Sequence, residues 1–453
     1  MEPRSIAVLA TLDTKAGEAA FLRRRIEDRG WLATVIDVGL GAAPAGLADV
    51  YAEEIARLGG ATLAELRSLN RRDAAMRSMG EGAARLLMQR YEAGQLAGVI
   101  GVGGNQGTAI ASIAMRALPV GLPKLIVSTV ASGNVRGYVG DSDIAMLFSV
   151  GDLLGGPNPV TRRVLAKAAA ATVGMAEAEE ELISQAPPKS VAITAFGNTH
   201  RAVVAAMDRF ARAERSVVPF HASGACGSAM ERLVEEGAME AVLDLTTHEL
   251  LGELYPEDIY TPVRPGRLTA AGRFGIPQVV VPGGLEYFCF GAPETIPSRL
   301  RERATHYHNP YNTNVRTSGE ELRRVGELIA ERLNAARGPV VVLIPTQGWS
   351  EVGSPGGMLH DPEANANFVK TLRQRLDPRV RLHEVDLTIN DPAFAELAAD
   401  TILELLGGDS LPNHRVSTPV QGTQLRDKQT LRANTDGGKQ KGENHDDTRD
   451  RHT

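Results

Sequence analysis

The stretch Leu96–Thr108, LAGVIGVGGNQGT, is an apolar run that ends in a cluster of glycines. Leu96–Val102 reads as a strand buried on both faces, because no polar residue interrupts it. Four of the seven residues Gly101–Gly107 are glycine, more than a tight turn needs. Glycines let backbone N–H groups approach an anion closely, and a helix start just beyond adds partial positive charge. The spacing predicts that helix over Gly107–Ala117. The segment is not a P-loop, since GxxxxGK[ST] is absent, and its glycine spacing is one off the dinucleotide fingerprint. A strand, a glycine turn and a helix form the repeating unit of a parallel α/β sheet.

The same alternation runs outward in both directions. Ser5–Ala10, Ala33–Val38 and Lys124–Ser128 read as strands, with helices over Lys15–Arg29, Ala48–Leu58, Arg72–Tyr91 and Val160–Met175. Glu177–Lys189 is charged, ends in Pro187-Pro188 and reads as a boundary. Beyond it the pattern restarts, with strands at Ser190–Ala195, Val217–Phe220, Ala241–Leu245, Gln278–Val281, Pro339–Ile344 and Val380–Val385. The expected fold class is α/β: two Rossmann-like parallel-sheet subdomains, residues 1–180 and 189–407, with a ligand cleft between them. Residues 408–453 are polar and nearly free of aliphatics, and read as a disordered tail.

Bulk properties narrow the function. The net charge of -6 argues against nucleic acid as the main partner, which calls for a basic field. Two cysteines, Cys226 and Cys289, make no disulfide framework and fit a reducing compartment. No apolar run approaches the roughly 18 residues of a membrane span, and no signal-length run precedes Asp13. The expected location is therefore the cytoplasm, away from membranes.

Ligands of parallel α/β sheets bind beyond the carboxyl ends of the strands. Three loops there stand out. After the first strand come Asp13, Thr14 and Lys15: a cap candidate, a hydroxyl and a cation for phosphate. The second is Gly103, Gly104, Asn105, Gln106, Gly107 and Thr108. The third carries Ser128, Thr129, Ala131, Ser132 and Gly133, followed by Asp141 and Asp143, oxygen ligands of the kind that suit Mg2+. Asp37 ends the second strand, where such folds present an acid to a ribose. Asp152 is a helix-cap candidate or a ribose or base contact. All ten histidines follow residue 199; His221, His306, His308 and His360 are candidates for acid–base catalysis, with no spacing that fixes a metal. Cys226 sits near a helix start without an evident base.

The motifs ATLDTK, GVGGNQGT, PKLIVSTVASG, YVGDSDIAMLFSVGDLLG, FHASG, ERLVEEG, HNP with a following RT, LHDPEAN and INDPAFA occur in that order. As a set, over about residues 5–406, they resemble the Tm-1-like ATP-binding family. The resemblance implies two Rossmann-like subdomains, ATP in the first, and a homodimer. It implies nucleotide contacts at Asp13–Lys15, Gly103–Thr108 and Ser128–Gly133, with Asp37 and Asp152. The departures fall in the second half: Gly197–His200, His221–Gly227, the segment between Leu250 and Gly272, and Gly283–Cys289. The expected function is an ATP-dependent enzyme acting on a small metabolite. The alternatives are a nucleotide-binding regulatory module and a hydrolase or lyase that uses the second-half histidines.

Overall fold

The computed structural model describes residues 4–183 and 189–407; the tail reading and the Pro-Pro step lie outside the described residues. The N-terminal half is built on a five-stranded parallel sheet. Its strands are β1 (Ser5–Ala10), β2 (Leu32–Asp37), β3 (Leu96–Gly103), β4 (Lys124–Ser128) and β5 (Ala145–Phe148), in the order β2-β1-β3-β4-β5. Val8 pairs with Val35 on one side and Ile100 on the other. The three central strands are buried throughout, whereas the edge strands β2 and β5 have exposed positions, as expected of strands paired on one side only.

Alternation along a strand sends neighbouring residues to opposite faces. Ala7 and Leu9 join a core with Met79, Ala83 and Leu87 of the helix Arg72–Glu92 and Ile110 and Ala114 of the helix Asn105–Arg116. Ile6, Val8 and Ala10 join a second core with Leu22 of the helix Leu12–Glu27 and Leu165, Ala169 and Val173 of the helix Pro159–Ile183. Helices therefore cover both faces.

The C-terminal half holds a six-stranded parallel sheet. It is formed by β6 (Ser190–Ala195), β7 (Val217–His221), β8 (Met239–Thr246), β9 (Gln278–Gly283), β13 (Val340–Pro345) and β14 (Arg381–Val385). The order β14-β13-β9-β8-β6-β7, read from the other edge, repeats the winding of the first sheet with one strand added. Between β9 and β13 the chain makes a small antiparallel sheet of β10 (Tyr287–Phe290), β11 (Thr305–Asn309) and β12 (Asn312–Arg316), in the order β10-β12-β11.

Among the described residues, three arginines cross between the halves. Arg136 donates to the carbonyls of Ile259 and Thr261 at 2.9 and 2.6 Å. Arg232 donates to those of Arg116 and Leu118, and Arg264 pairs with Asp141 at 3.3 Å.

Several boundaries depart from the sequence reading. The first helix starts at Leu12, so Asp13, Thr14 and Lys15 sit in its first turn rather than in a loop. The helix expected to end at Met175 continues to Ile183, because the Ala- and Glu-rich run favours helix throughout. Asp152 does not cap it: Asn158 does, accepting from Val160 N and Thr161 N at 2.9 and 3.0 Å. The strands β5, β10, β11 and β12 were not expected; they are short, and β5 follows directly on the stretch read as a binding loop.

Candidate functional site

Strand order reverses between β1 and β3, and at such a switch point the flanking loops part to leave a crevice beyond the strand ends. Two helix N-termini open onto it. Neither Thr11, preceding the helix Leu12–Glu27, nor Gly104, preceding the helix Asn105–Arg116, makes a side-chain cap bond. The two strand ends approach closely: a Cβ on Gly107 would lie 4.0 Å from Thr11 Oγ1, and one on Gly103 would lie 2.8 Å from Gly107 Cα. Glycine is needed at 103 because any side chain would meet that helix start.

The surrounding side chains brace this rim. Thr108 and Ser128 are buried and share a hydrogen bond at 2.6 Å, tying the helix start to the end of β4. Ser128 Oγ also accepts from Val130 N, which shapes the turn through Thr129, Ala131, Ser132 and Gly133. Thr129 Oγ1 lies beside Gly104. Asn105 Oδ1 accepts from Tyr138 Oη at 3.0 Å, while Asn105 and Gln106 are exposed. Thr14 and Thr11 share a hydroxyl contact at 3.0 Å. Lys15 lies at a break in helical geometry, with φ of -124°.

The two acids at this end hold backbone. Asp37 is buried, and its Oδ1 accepts from Leu12 N at 3.0 Å and Gly39 N at 2.9 Å. Burial raises its pKa above the ordinary value, against those two bonds. Asp13 accepts from Gly41 N at 2.9 Å. Asp152 is exposed and accepts from Leu153 N. The pair considered for Mg2+ is engaged by cations: Asp143 meets the buried Lys124 Nζ at 2.7 Å, and Asp141 meets Arg264. Among the described residues no group of three or more His, Cys, Asp or Glu is placed to hold a metal.

The second sheet reverses between β6 and β8, and a cavity of about 350 Å³ opens there. Phe196 and Asn198 come from the end of β6, His221 from the end of β7, and Cys289, Asn312 and Asn314 from the small antiparallel sheet. Tyr260 and Tyr287 complete the wall.

Beneath the wall lies His248, fully buried. Its Nδ1 faces the Gly284 carbonyl at 2.7 Å and its Nε2 faces Asp258 at 3.1 Å. Both partners only accept, so both ring nitrogens must carry protons: the residue is an imidazolium. Burial opposes that charge, but Asp258 and Cys289 outweigh it and hold the pKa well above the usual range. Phe196 and Tyr287 enclose the ring, with centroids 4.8 and 5.5 Å away. His221, at the cavity, has its pKa lowered by burial and by the His248 charge. It is a neutral imidazole near pH 7.

The candidate histidines thus separate. His221 and His308 line the cavity; His306 stands 6.2 Å from His308 in ring centroids, outside the lining; His360 is bonded to the Gly353 carbonyl at 2.9 Å in another loop. Cys226 is exposed in the helix Ala225–Glu235 and is not part of the wall. Sequence reading passed over His248, Asp258, Tyr260, Tyr287, Asn312 and Asn314. The alternation in Asn312-Thr313-Asn314-Val315 is the local signal that could have revealed a strand with two asparagines on one face, and it was not read as one.

Fold and sites together define an α/β protein with two parallel sheets, each with a switch point, and a cavity at that of the second. The chain belongs to the uncharacterised protein family UPF0261: its N-terminal domain matches residues 4–181 and its C-terminal domain residues 188–406. A UPF0261 protein of Clostridium tetani is 36% identical over 404 residues, covering 89% of this chain and 99% of that one. One from Rhizobium meliloti is 38% identical over 397 residues, covering 87% and 97%. The ToMV resistance protein Tm-1 of Solanum lycopersicum is 34% identical over 374 residues, covering 81% of this chain and 48% of the plant protein. No helix among the described residues is long and apolar enough to cross a membrane.

Proposed function

We propose that the protein binds ATP, as its magnesium complex, at the β1/β3 switch and is an ATP-dependent enzyme acting on a small metabolite held in the second-half cavity. The observation that carries the first part is the start of the helix Asn105–Arg116, which has no side-chain cap and meets the start of the helix Leu12–Glu27 at Thr11 and Gly107. The first-turn N–H groups at this glycine turn and the helix dipole attract phosphate there. Lys15, with no ion-pair partner among the described residues, supplies charge. The hydroxyls of Thr14 and Thr129 supply further donors. Phosphoryl transfer needs mainly positioning and charge stabilisation. The divalent ion would arrive with the nucleotide, because Asp141 and Asp143 serve Arg264 and Lys124. The second part is supported by His221, a neutral base at the cavity.

Calorimetric titration with ATP and magnesium should give saturable heat. A metabolite pool added to that mixture should consume ATP, and His221→Ala should stop the consumption while the heat persists. Absence of heat defeats the nucleotide reading. Heat without turnover in any pool leaves the regulatory module. Substrate conversion that ignores ATP but needs His221 establishes the hydrolase or lyase reading, which the low pKa of His221 also favours.

A further inference from the structure

The second-half cavity has an unusual lining: among the described residues, none of the side chains on its wall is Asp, Glu, Lys or Arg. Its polar groups are amides, phenols and imidazoles. One of them is unpaired. Asn314 is 2% exposed, and its Oδ1 has no hydrogen-bond partner. Leaving a buried carbonyl oxygen without a donor costs free energy, so native structures rarely do it unless a ligand or water supplies the donor.

The bonds around Asn314 set which groups are left to meet a ligand. Asn314 Nδ2 donates to Asn312 Oδ1 at 3.1 Å and to Cys289 Sγ at 3.2 Å, so its donors are spent. Asn312 Nδ2 donates in turn to Tyr260 Oη at 3.1 Å. Asn198 Nδ2 donates to Tyr287 Oη at 3.3 Å. A phenol that accepts an amide hydrogen keeps its own proton to give. Burial, first among the causes, raises the pKa of both phenols, so both stay protonated at neutral pH. Beside the ring of His221, the wall therefore presents a buried orphan acceptor and two O–H donors, and the buried charge beneath it is balanced between His248 and Asp258.

We infer that this cavity is a binding site for an uncharged carbonyl compound that also carries an N–H or O–H donor. The donor meets Asn314 Oδ1, and the carbonyl oxygen accepts from Tyr260 and Tyr287. A carboxylate would bring acceptors only and leave Asn314 unpaired. A cation would face no carboxylate on the wall, and the His248–Asp258 pair below it is balanced and offers no net negative charge. Phe196 and His221, with ring centroids 5.2 Å apart, offer an apolar side for a flat group. The inference rests on the reading that the second half holds the substrate, and is independent of what the first half holds.

Three probes of one shape separate the possibilities: benzamide, benzoate and benzylamine, titrated against the full-length protein by ligand-observed NMR. Benzamide is expected to bind, and the two charged probes to bind at least about tenfold more weakly, the worth of one hydrogen bond left unmade. Asn314→Leu should weaken benzamide about tenfold. Tyr260→Phe, which keeps the ring and its packing, should weaken it several-fold and covers the case in which the Asn314 variant does not fold. No benzamide binding, equal or tighter binding of a charged probe, or unchanged binding in a folded variant overturns the inference. ATP heat and His221-dependent turnover, measured on the same preparation, report the earlier reading separately. Loss of either with probe selectivity intact defeats that reading and not this one.

Discussion

The two halves wind their strands in the same order yet treat the carboxyl ends of those strands in opposite ways. In the N-terminal half, the helix Leu12–Glu27 starts with Leu12 N on the Asp37 carboxylate, whereas the helix Asn105–Arg116 opens onto the switch point at Gly104 with no side-chain cap. In the C-terminal half, the helix Ala225–Glu235 begins on a carboxylate of the protein itself: Glu249 Oε1 accepts from Gly224 N and Gly227 N. Gly227 has no room for a side chain, since a Cβ would overlap Glu249. Glu249 is held by Arg267, which also pairs with Asp244 at 2.7 Å and Glu231 at 3.0 Å, all of them buried. One half leaves the helix start at its glycine turn open to a ligand; the other seats the matching kind of helix start on its own carboxylate and turns its switch point into an uncharged cavity. Similar topology sets where a ligand can sit, and the side chains decide what charge it carries.

The largest test of this contrast removes the cation from the filled half. Arg267→Met leaves three buried carboxylates uncompensated and should cost about 3–5 kcal/mol, read as a fall in the urea midpoint. Unchanged stability would mean that the buried network is not what holds the C-terminal half.

A second change transplants the device. Gly104 has ordinary negative φ, and a Cβ there would come no closer than 3.6 Å to Thr129 Oγ1. Gly104→Asp should give the helix Asn105–Arg116 its own cap and hold or raise stability by a few tenths of a kcal/mol. The same carboxylate should weaken ATP by at least about tenfold in calorimetry, through competition for the N–H groups and repulsion of phosphate. Normal ATP affinity in this variant would place the phosphates elsewhere.

The buried imidazolium gives a pH signature to the C-terminal half. His248 has a folded-state pKa raised above its ordinary 6.5, so its pairing with Asp258 is fully present below about that pH. The stabilisation is lost as pH rises through the raised folded value. Thermal unfolding should therefore weaken on the alkaline side, and less so in His248→Gln. The smallest expected effect is on His221. Its NMR titration midpoint should lie below 6.5 and move upward in His248→Gln, because the neighbouring charge is one cause of the depression after burial.

Much of the architecture was legible in the chain. Ser5–Ala10, Lys124–Ser128 and Ser190–Ala195 form the strands their apolar runs suggested, residue for residue. A strand buried on both faces must be apolar along its length, which makes such runs conspicuous. β10, β11 and β12 were not legible. Thr305–Asn309 is half-exposed and polar, and its pairing with β12 is set by partners distant in sequence. The glycine turn and the hydroxyl loops were found because strand, turn and helix are adjacent in the chain. The His248–Asp258 pair was missed because a buried ion pair between loops leaves no periodicity.

By itself the sequence determined the alternation of strands and helices and the residues at the ends of the central strands. Hydrophobic period and glycine placement are local properties, written within a few residues. Only the tertiary structure decided which carboxylates are spent on backbone and arginine, which histidine lies at a cavity, and which asparagine oxygen goes unpaired. Those outcomes depend on burial and on partners tens of residues away, such as Asp258 with Cys289 and Asn312 with Tyr260, and local pattern carries no record of them.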